Sequence, residues 1–423
     1  MLKTIVNAWK IKDIRTKILY TLLLILLYRV GCYIPIPGVN VEGVASSLEQ
    51  YVAIGGFMNM FTGGAFSNYA LFAMGISPYI TGSIIMQLLA IAIPALERLS
   101  KQEDGKQKIE KITRYVGVGL AAVQSVSIIL ALGSSAVYNT SWLTYVTIGV
   151  TATAGVALLM WMGEKITEKG IGNGISFIIF ASIAANVIPA IANIANTVST
   201  GSISWVAVPS IIFVVILLLV GIVYVDKAER RIPVNYAKRV KGRKQYGGAS
   251  THIPLKANAN GVMPLIFAMT ILNVATMIIE LAGEGWFATF WNKTFATGRP
   301  GYYILYALLI IGFAYFYSTI SFNPVEISKN IKENGGTILG IRPGWDTANY
   351  LKKIVSRLTL FGAIFLALVA ILPSLVFSFF DIGDLQAISM FGPTSILILI
   401  SVAMETNTQL ETQMMARHYK ALL

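Results

Sequence analysis

The chain has 423 residues, 55% hydrophobic and 13% charged, with 33 Lys and Arg against 20 Asp and Glu for a formal net charge of +13. So few charges cannot solvate the surface of a soluble protein of this length, which excludes an ordinary water-soluble enzyme or binding domain. The basic excess would point to nucleic acid in a soluble chain, but here it falls on every second loop between long apolar runs, the pattern of a polytopic membrane protein.

Residues 1–17 are basic and amphipathic, with Trp9, Ile11 and Ile14 set among Lys3, Lys10, Lys12, Arg15 and Lys17. This stretch reads as an interfacial helix leading into the first span. The run after it is long enough to span and no small-residue cleavage site follows, so a removed signal peptide is not expected. Ten runs approach the roughly 20 residues needed to cross about 30 Å of hydrocarbon. They are residues 17–36, 70–94, 113–133, 143–162, 174–196, 205–225, 259–282, 302–322, 357–379 and 386–404.

Loop charge sets the orientation. Basic residues number five in 1–17, six in 95–114, two in 163–173, nine in 226–258, six in 323–357 and two in 405–423. The opposite loops carry only Lys293 and Arg299, and Arg29 lies within the first span near its outer end. Basic loops stay inside, so both termini are expected in the cytoplasm. Ten spans divide into an N-terminal half, 1–200, and a C-terminal half, 201–423. Five spans per half make the second half enter with opposite polarity, the arrangement of an inverted repeat with a path between the halves.

Three segments depart from this plan. Residues 55–66 are apolar but too short to span, with Gly55, Gly56, Gly63 and Gly64 bracketing one small helix. They form either an outer loop resting on the bundle or a re-entrant segment, which is tolerated at membrane depth only where protein or a water-filled cavity surrounds it. In loop 226–258, Ile232, Val234 and Tyr236 alternate with polar or small residues, and so do the residues of 252–255. This predicts a β-hairpin with a basic, glycine-containing tip. Loop 323–357 contains GIRPG at 340–344, a tight turn presenting Arg342. Both basic loops could serve only orientation and binding to anionic lipid headgroups, but that role requires neither hairpin order nor such length.

No GxxxxGK[ST] phosphate loop occurs. No paired carboxylates, Ser-His-Asp set or metal-ligand spacing stands out, and His252 and His418 are far apart; no cofactor, metal or catalytic activity is expected. The single cysteine, Cys32, excludes a disulfide framework. The span interiors hold essentially no acid, with Glu280 at the end of its run. That argues against an ion-coupled secondary transporter, which places an ionisable group at the midplane. The missing catalytic constellation argues against a membrane-embedded enzyme. Neutral Gln87, Gln124, Asn186 and Asn273 lie inside spans, where interhelical hydrogen bonding is their ordinary use. What remains is a ten-span conduit whose driving energy comes from a partner.

The ordered segments YIPIPG (33–38), FMNMFTGGAFS (57–67), GISPYITGSIIMQLL (75–89), KITRY (111–115), MGEKITEKGIGNGISFIIF (162–180), RRIPVNYAKR (230–239), STHIPLK (250–256), FNPVEISKNIK (322–332) and GIRPG resemble the SecY family, the channel subunits of the bacterial protein translocase and the alpha subunits of the endoplasmic-reticulum translocon. The resemblance covers almost the whole chain and implies an all-α membrane channel of two inverted five-helix halves. It implies a waist ring of aliphatic residues, here Ile76, Ile80, Ile175, Ile179, Ile266 and Ile398. Ile76 with Ile80 and Ile175 with Ile179 are i,i+4 pairs, each sharing one helix face, and a narrow apolar ring resists ions because a charge there would lose hydration.

Residues 55–66 would then be the plug, with Phe57, Met58, Asn59, Met60, Phe61, Thr62, Gly63 and Gly64 at its centre. A lateral gate would lie between spans 2–3 and 7–8, with Gln87, Gln124 and Asn273 as polar contacts. The basic loops would dock the ATPase SecA or the ribosome through Arg342, Arg231, Arg239, Arg243 and Lys244, side chains suited to carboxylates or ribosomal RNA phosphates. SecE would clamp the halves and SecG would be peripheral. The substrates would be secretory precursors and signal peptides, the site the bacterial plasma membrane. Pro393 stands in FGPTS where many relatives carry glycine, and would stiffen the start of the last span.

Overall fold

The computed structural model describes residues 2–50, 59, 61–100, 102, 104–199, 207–236, 239–241, 244–246, 250–258, 261–282, 285–295, 299–379 and 393–420. In chain order the helices are α1 (Leu2–Lys10), α2 (Lys12–Gly31), α3 (Val41–Gln50), α4 (Ser77–Ala92), α5 (Pro94–Ser100), α6 (Gly105–Ala131), α7 (Trp142–Lys169), α8 (Gly174–Ser199) and α9 (Ala207–Lys227), followed by α10 (Met263–Ala282), α11 (Trp286–Thr294), α12 (Pro300–Ser321), α13 (Pro324–Glu333), α14 (Trp345–Phe379) and α15 (Pro393–Lys420). Five strands interrupt them: β1 (Glu229–Tyr236), β2 (Arg239–Lys241), β3 (Lys244–Tyr246), β4 (Ser250–Lys256) and β5 (Gly336–Ile338).

A helix occupies each of the ten stretches read as spans. Among the described residues, Gln107–Ala131, Trp142–Lys169, Pro300–Glu333 and Trp345–Pro373 are long and apolar enough to cross a membrane, and the pair α4–α5 adds a fifth if read as one span. That pair is bent by 105°. Pro94 is the cause: the residue before a proline is pushed out of the helical region, and Ile93 is extended, with φ −106° and ψ 112°.

The chain divides into two compact units, one built on Met1–Ile203 together with Ile398–Leu423, the other on Ser204–Gly383. In the first, Ala8 of α1 and Ile14 of α2 are buried against Ile171 and Leu410, and Thr4 Oγ1 donates to Glu411 Oε1 at 3.2 Å. The basic N-terminal stretch is therefore docked on α15 as well as amphipathic. The run 70–94 begins as turns rather than helix. Leu71 N donates to Ile34 O at 2.8 Å and Ile36 N to Tyr69 O at 3.1 Å, so backbone pairing with YIPIPG holds residues 69–71 until α4 starts at Ser77. Phe66, Tyr69 and Met74 share a core with Ile129 of α6 and Ile148 and Val156 of α7. Helices α4 and α6 cross on small residues: a Cβ placed on Gly82 would lie 3.1 Å from Gly117 N and 3.2 Å from its Cα. Small residues at a crossing bring membrane helices close enough for dispersion contacts.

In the second unit α12 packs along α14, where Thr359 Oγ1 donates to Ser318 Oγ at 2.9 Å. Phe267 of α10 sets its ring edge-on to Phe313 and Tyr317 of α12. β1 alternates as the hairpin pattern demands, with Ile232 and Val234 buried between exposed neighbours. It pairs antiparallel with β4, Ile232 opposite Ile253. On its other edge it pairs with β5, Val234 opposite Ile338, so the sheet order is β4-β1-β5. β2 and β3 form a separate two-stranded ribbon. The inner face of the larger sheet buries Ile232, Val234, Leu255 and Ile338 against Ile331 of α13 and Leu351 and Ile354 of α14. The two long basic loops thus share one hydrophobic core.

Candidate functional site

Helix α8 carries one informative face. Ile175, Ile179, Ser182 and Asn186 follow at spacings of four, three and four residues, the repeat that stacks side chains on one side of a helix. Ile179 is buried and Ile175 half-buried; Ile175 also packs towards α7, its Cγ1 lying 3.2 Å from where a Cβ on Gly163 would sit. On α4, Ile76 is the buried residue that caps the helix, and its carbonyl accepts from Ile80 N at 3.1 Å. Ile76 and Ile80 therefore share a face with Ser83 and Gln87, at the same four-three-four spacing.

The glycine-rich segment lies against that face of α8. Asn186 Nδ2 donates to Asn59 O at 3.2 Å. Asn59 and Ser67 close the turn on each other, with Ser67 N donating to Asn59 Oδ1 at 3.0 Å and a short contact between Asn59 Nδ2 and Ser67 Oγ. Phe61, Thr62 and Gly63 are buried. Gly63 has φ +64°, and a Cβ there would lie 3.1 Å from Ser182 Cα and 2.5 Å from Arg29 Nη1. Only glycine suits that left-handed, crowded position. From α2, Tyr28 Oη lies 3.0 Å from Thr62 O and 2.6 Å from Ser182 Oγ. Arg29 Nη1 donates to Gly63 O at 2.9 Å, and Nη2 donates to Tyr33 Oη at 3.3 Å. Phe57, Met58 and Met60 lie outside the described residues.

Among the sequence-nominated polar residues, Gln87 Nε2 donates to Ser83 Oγ at 3.3 Å. Its Oε1 and the Oε1 of Gln124 on α6 are buried with no hydrogen-bond partner among the described residues. Asn273 lies on α10, its side chain outside the described set. In the second unit, the GIRPG turn is fastened from both sides. Thr347 Oγ1 donates to Arg342 O at 2.9 Å and Ser328 Oγ to Gly344 O at 2.6 Å. Arg342 is exposed, flanked by Leu339 and Trp345 at 78% and 70% exposure.

The SecY family model matches residues 70–407. Protein translocase subunits SecY of Streptomyces scabiei and Halalkalibacterium halodurans are each 41% identical, with all of this chain and all of each relative covered. The chain belongs to the SecY family. Solved structures agree in fold. A protein-conducting channel is matched with TM-score 0.66 at 17% identity over 94% of this chain and 91% of that one. A SecY whose plug domain is described as stabilising the closed state and maintaining a membrane seal is matched with TM-score 0.65 at 19% identity over the same shares. Canine Sec61 from a ribosome-channel complex of the endoplasmic reticulum is matched with TM-score 0.62 at 17% identity, again over 94% and 91%.

As a SecY-family chain it sits among membrane channels for protein translocation, and the family points to a pore rather than to catalysis. Several SecY-like segments have structural work in this fold. Arg114 of KITRY pairs its Nε with Glu164 Oε1 of MGEKITEKG at 2.5 Å, joining α6 to α7. FNPVEISKNIK starts α13, with Asn323 Oδ1 accepting from Val325 N at 3.2 Å and Glu326 N at 3.4 Å. Pro324 takes the first helical position, where its missing N–H costs nothing. Of the remaining nominated residues, Ile266 lies buried on α10 and Ile398 buried on α15. Arg231 is exposed but occupied: its Nε and Nη2 both donate to Glu229 Oε1, at 2.9 and 2.6 Å. Arg239 and Lys244 lie on β2 and β3, with side chains outside the described set, and Arg243 lies outside the described residues. Sequence reading missed Tyr28, Ser182, Leu339 and Trp345. It noted Arg29 only as a charge inside a span, which is by itself a functional signal.

Proposed function

We propose that this chain is the pore-forming subunit of a translocase that passes unfolded secretory proteins across the bacterial plasma membrane. Ten spans in two inverted halves, 1–200 and 201–423, would enclose an hourglass channel with both termini in the cytoplasm. Ile76, Ile80, Ile175, Ile179, Ile266 and Ile398 ring its waist, and residues 55–66 are the plug. Signal sequences and transmembrane segments leave through a lateral gate between spans 2–3 and 7–8. The amide oxygens of Gln87 and Gln124, without a hydrogen-bond partner among the described residues, suit a gate, because groups left unsatisfied when it is closed cost little to separate.

The observation that carries this reading is the shared face of α8: the residues one and two turns beyond Ile179 are those that hold the glycine-rich segment. A seal lying beside a hydrophobic ring excludes ions while leaving the path removable. The exposed GIRPG turn and the basic sheet suit docking of SecA or the ribosome, with ribosomal RNA phosphates within the reach of arginine chemistry. SecE would clamp the halves, SecG sit at the edge, and anionic lipids contact the basic loops. Reconstitution into vesicles with and without SecE and SecA tests the reading. ATP-dependent movement of a secretory precursor into the lumen is expected only with the motor. Uptake of small solutes by the chain alone would show a transporter instead.

A further inference from the structure

We infer that Tyr28 and Arg29 form a latch that holds the glycine-rich segment closed, with Ser182 the alternative partner that lets Tyr28 release it, a role that rests on the plug reading above. The segment is gripped by its backbone carbonyls, not by its apolar side chains alone. Gly63 O takes the Arg29 guanidinium at 2.9 Å, and Thr62 O takes Tyr28 Oη at 3.0 Å. The grip reaches across 34 residues in each case, from a helix that begins well before the segment. Glycine at position 63 brings that carbonyl within the guanidinium's reach, since a Cβ would collide with Nη1.

The Tyr28 hydroxyl has one proton and two oxygens to give it to. Ser182 Oγ stands 2.6 Å away and itself lies 2.8 Å from Ile178 O. Two proton arrangements therefore exist. In one, Ser182 donates to Tyr28 and Tyr28 donates to Thr62 O, and the segment is held. In the other, Tyr28 donates to Ser182 and Ser182 to Ile178 O. Thr62 O then loses the phenol and keeps the longer contacts from Ala65 N at 3.4 Å and the Cys32 thiol at 3.7 Å, which loosens the segment on that side. Tyr28, Cys32, Thr62, Ile178 and Ser182 are all buried, so water does not compete for the choice. Lifting the segment converts the first arrangement into the second without leaving a hydroxyl proton unpaired, which lowers the cost of opening.

The relay makes a prediction of opposite sign for two neighbours. Tyr28→Phe removes the donor and should raise the resting open probability of the full complex in planar bilayers about threefold, the equivalent of the ~0.6 kcal/mol of one intramembrane hydrogen bond. Arg29→Gln should raise it about tenfold, and Arg29→Lys should return it towards wild type. Ser182→Ala leaves Tyr28 only Thr62 O as acceptor, so its open probability should stay at or below wild type. Adding Tyr28→Phe or Arg29→Gln to a deletion of residues 57–65 should add nothing to the deletion's leak. If the deletion leaks while Tyr28→Phe and Arg29→Gln stay at baseline, or if Ser182→Ala leaks as Tyr28→Phe does, the latch is overturned and the plug stands. If the deletion itself leaves the resting conductance unchanged, the plug reading falls and the latch with it.

Discussion

Ser182 stands one turn beyond Ile179 on α8, and its Cα is the backbone atom a side chain at Gly63 would meet, at 3.1 Å. One helix face thus serves two purposes along its length, an apolar stretch and a polar seat for the glycine-rich segment.

That division predicts how the waist fails. Ile80→Asn with Ile179→Asn places two amides where the proposed ring is apolar, inviting water and lowering the dewetting barrier to ions. The resting bilayer conductance should rise at least about tenfold, and export of precursors with weakened signal sequences should improve. Wild-type values for both would remove these isoleucines from the pore.

Under the docking reading, the exposed turn predicts where a motor would act. Arg342 is flanked by the exposed apolar surface of Leu339 and Trp345, the arginine-aromatic composition of interface hot spots, where truncation costs about 2 kcal/mol or more. Arg342→Glu should abolish SecA-driven transport while leaving membrane insertion of the chain intact, and Trp345→Ala should weaken SecA binding by about tenfold or more. Arg231→Ala should have a smaller effect, because that guanidinium is already engaged by Glu229. Equal losses at Arg231 and Arg342, measured as binding and ATP-dependent transport, would contradict this ranking.

Gln87 predicts an effect on the proposed gate. Its Oε1 is buried without a partner among the described residues, and replacing such a group by an apolar one of similar shape is nearly neutral or stabilising. Gln87→Leu should raise the thermal midpoint of the detergent-solubilised complex slightly and make weakly hydrophobic signal sequences less effective. A drop of several degrees would mean the amide is satisfied in the assembled channel.

The α4–α6 crossing predicts a stability defect. A Cβ at Gly82 faces Gly117 backbone, which cannot rotate away as a side chain could. Gly82→Val should cost about 1–3 kcal/mol by overpacking, read as a lower thermal midpoint. The salt bridge Arg114–Glu164 is a useful contrast: both side chains are over a third exposed, so Arg114→Ala should cost under about 1 kcal/mol.

Helix positions were legible because a membrane imposes its thickness on every run of apolar residues, and the hairpin pattern in 232–236 because one face of β1 is buried. Other features left no one-dimensional trace. The stretch 70–76 is as apolar as a helix, yet backbone pairing with Ile34 and Ile36 outcompetes helix formation there. Strand β5 is three residues long, too short for alternation to register, so nothing announced that loops 226–258 and 323–357 build one sheet. The grip of Tyr28 and Arg29 is a contact of side chain with distant main chain, and a carbonyl has no letter in a sequence. Pro94 was visible, but read as the end of a span rather than a 105° corner.

The pairing of β5 with β1 has a mechanical consequence. Just beyond β5 comes the fastened GIRPG turn, and α14 leaves it as a helix of 35 residues, about 50 Å at 1.5 Å per residue. A push on Arg342 cannot be absorbed by loop slack, because Ile338 of the strand on one side and Leu351 of the helix on the other share one core with Ile232 and Val234. Under the docking reading, a load at this turn would enter the N-terminal end of α14 and run along it as far as Pro373, where the missing backbone hydrogen bond lets a helix bend.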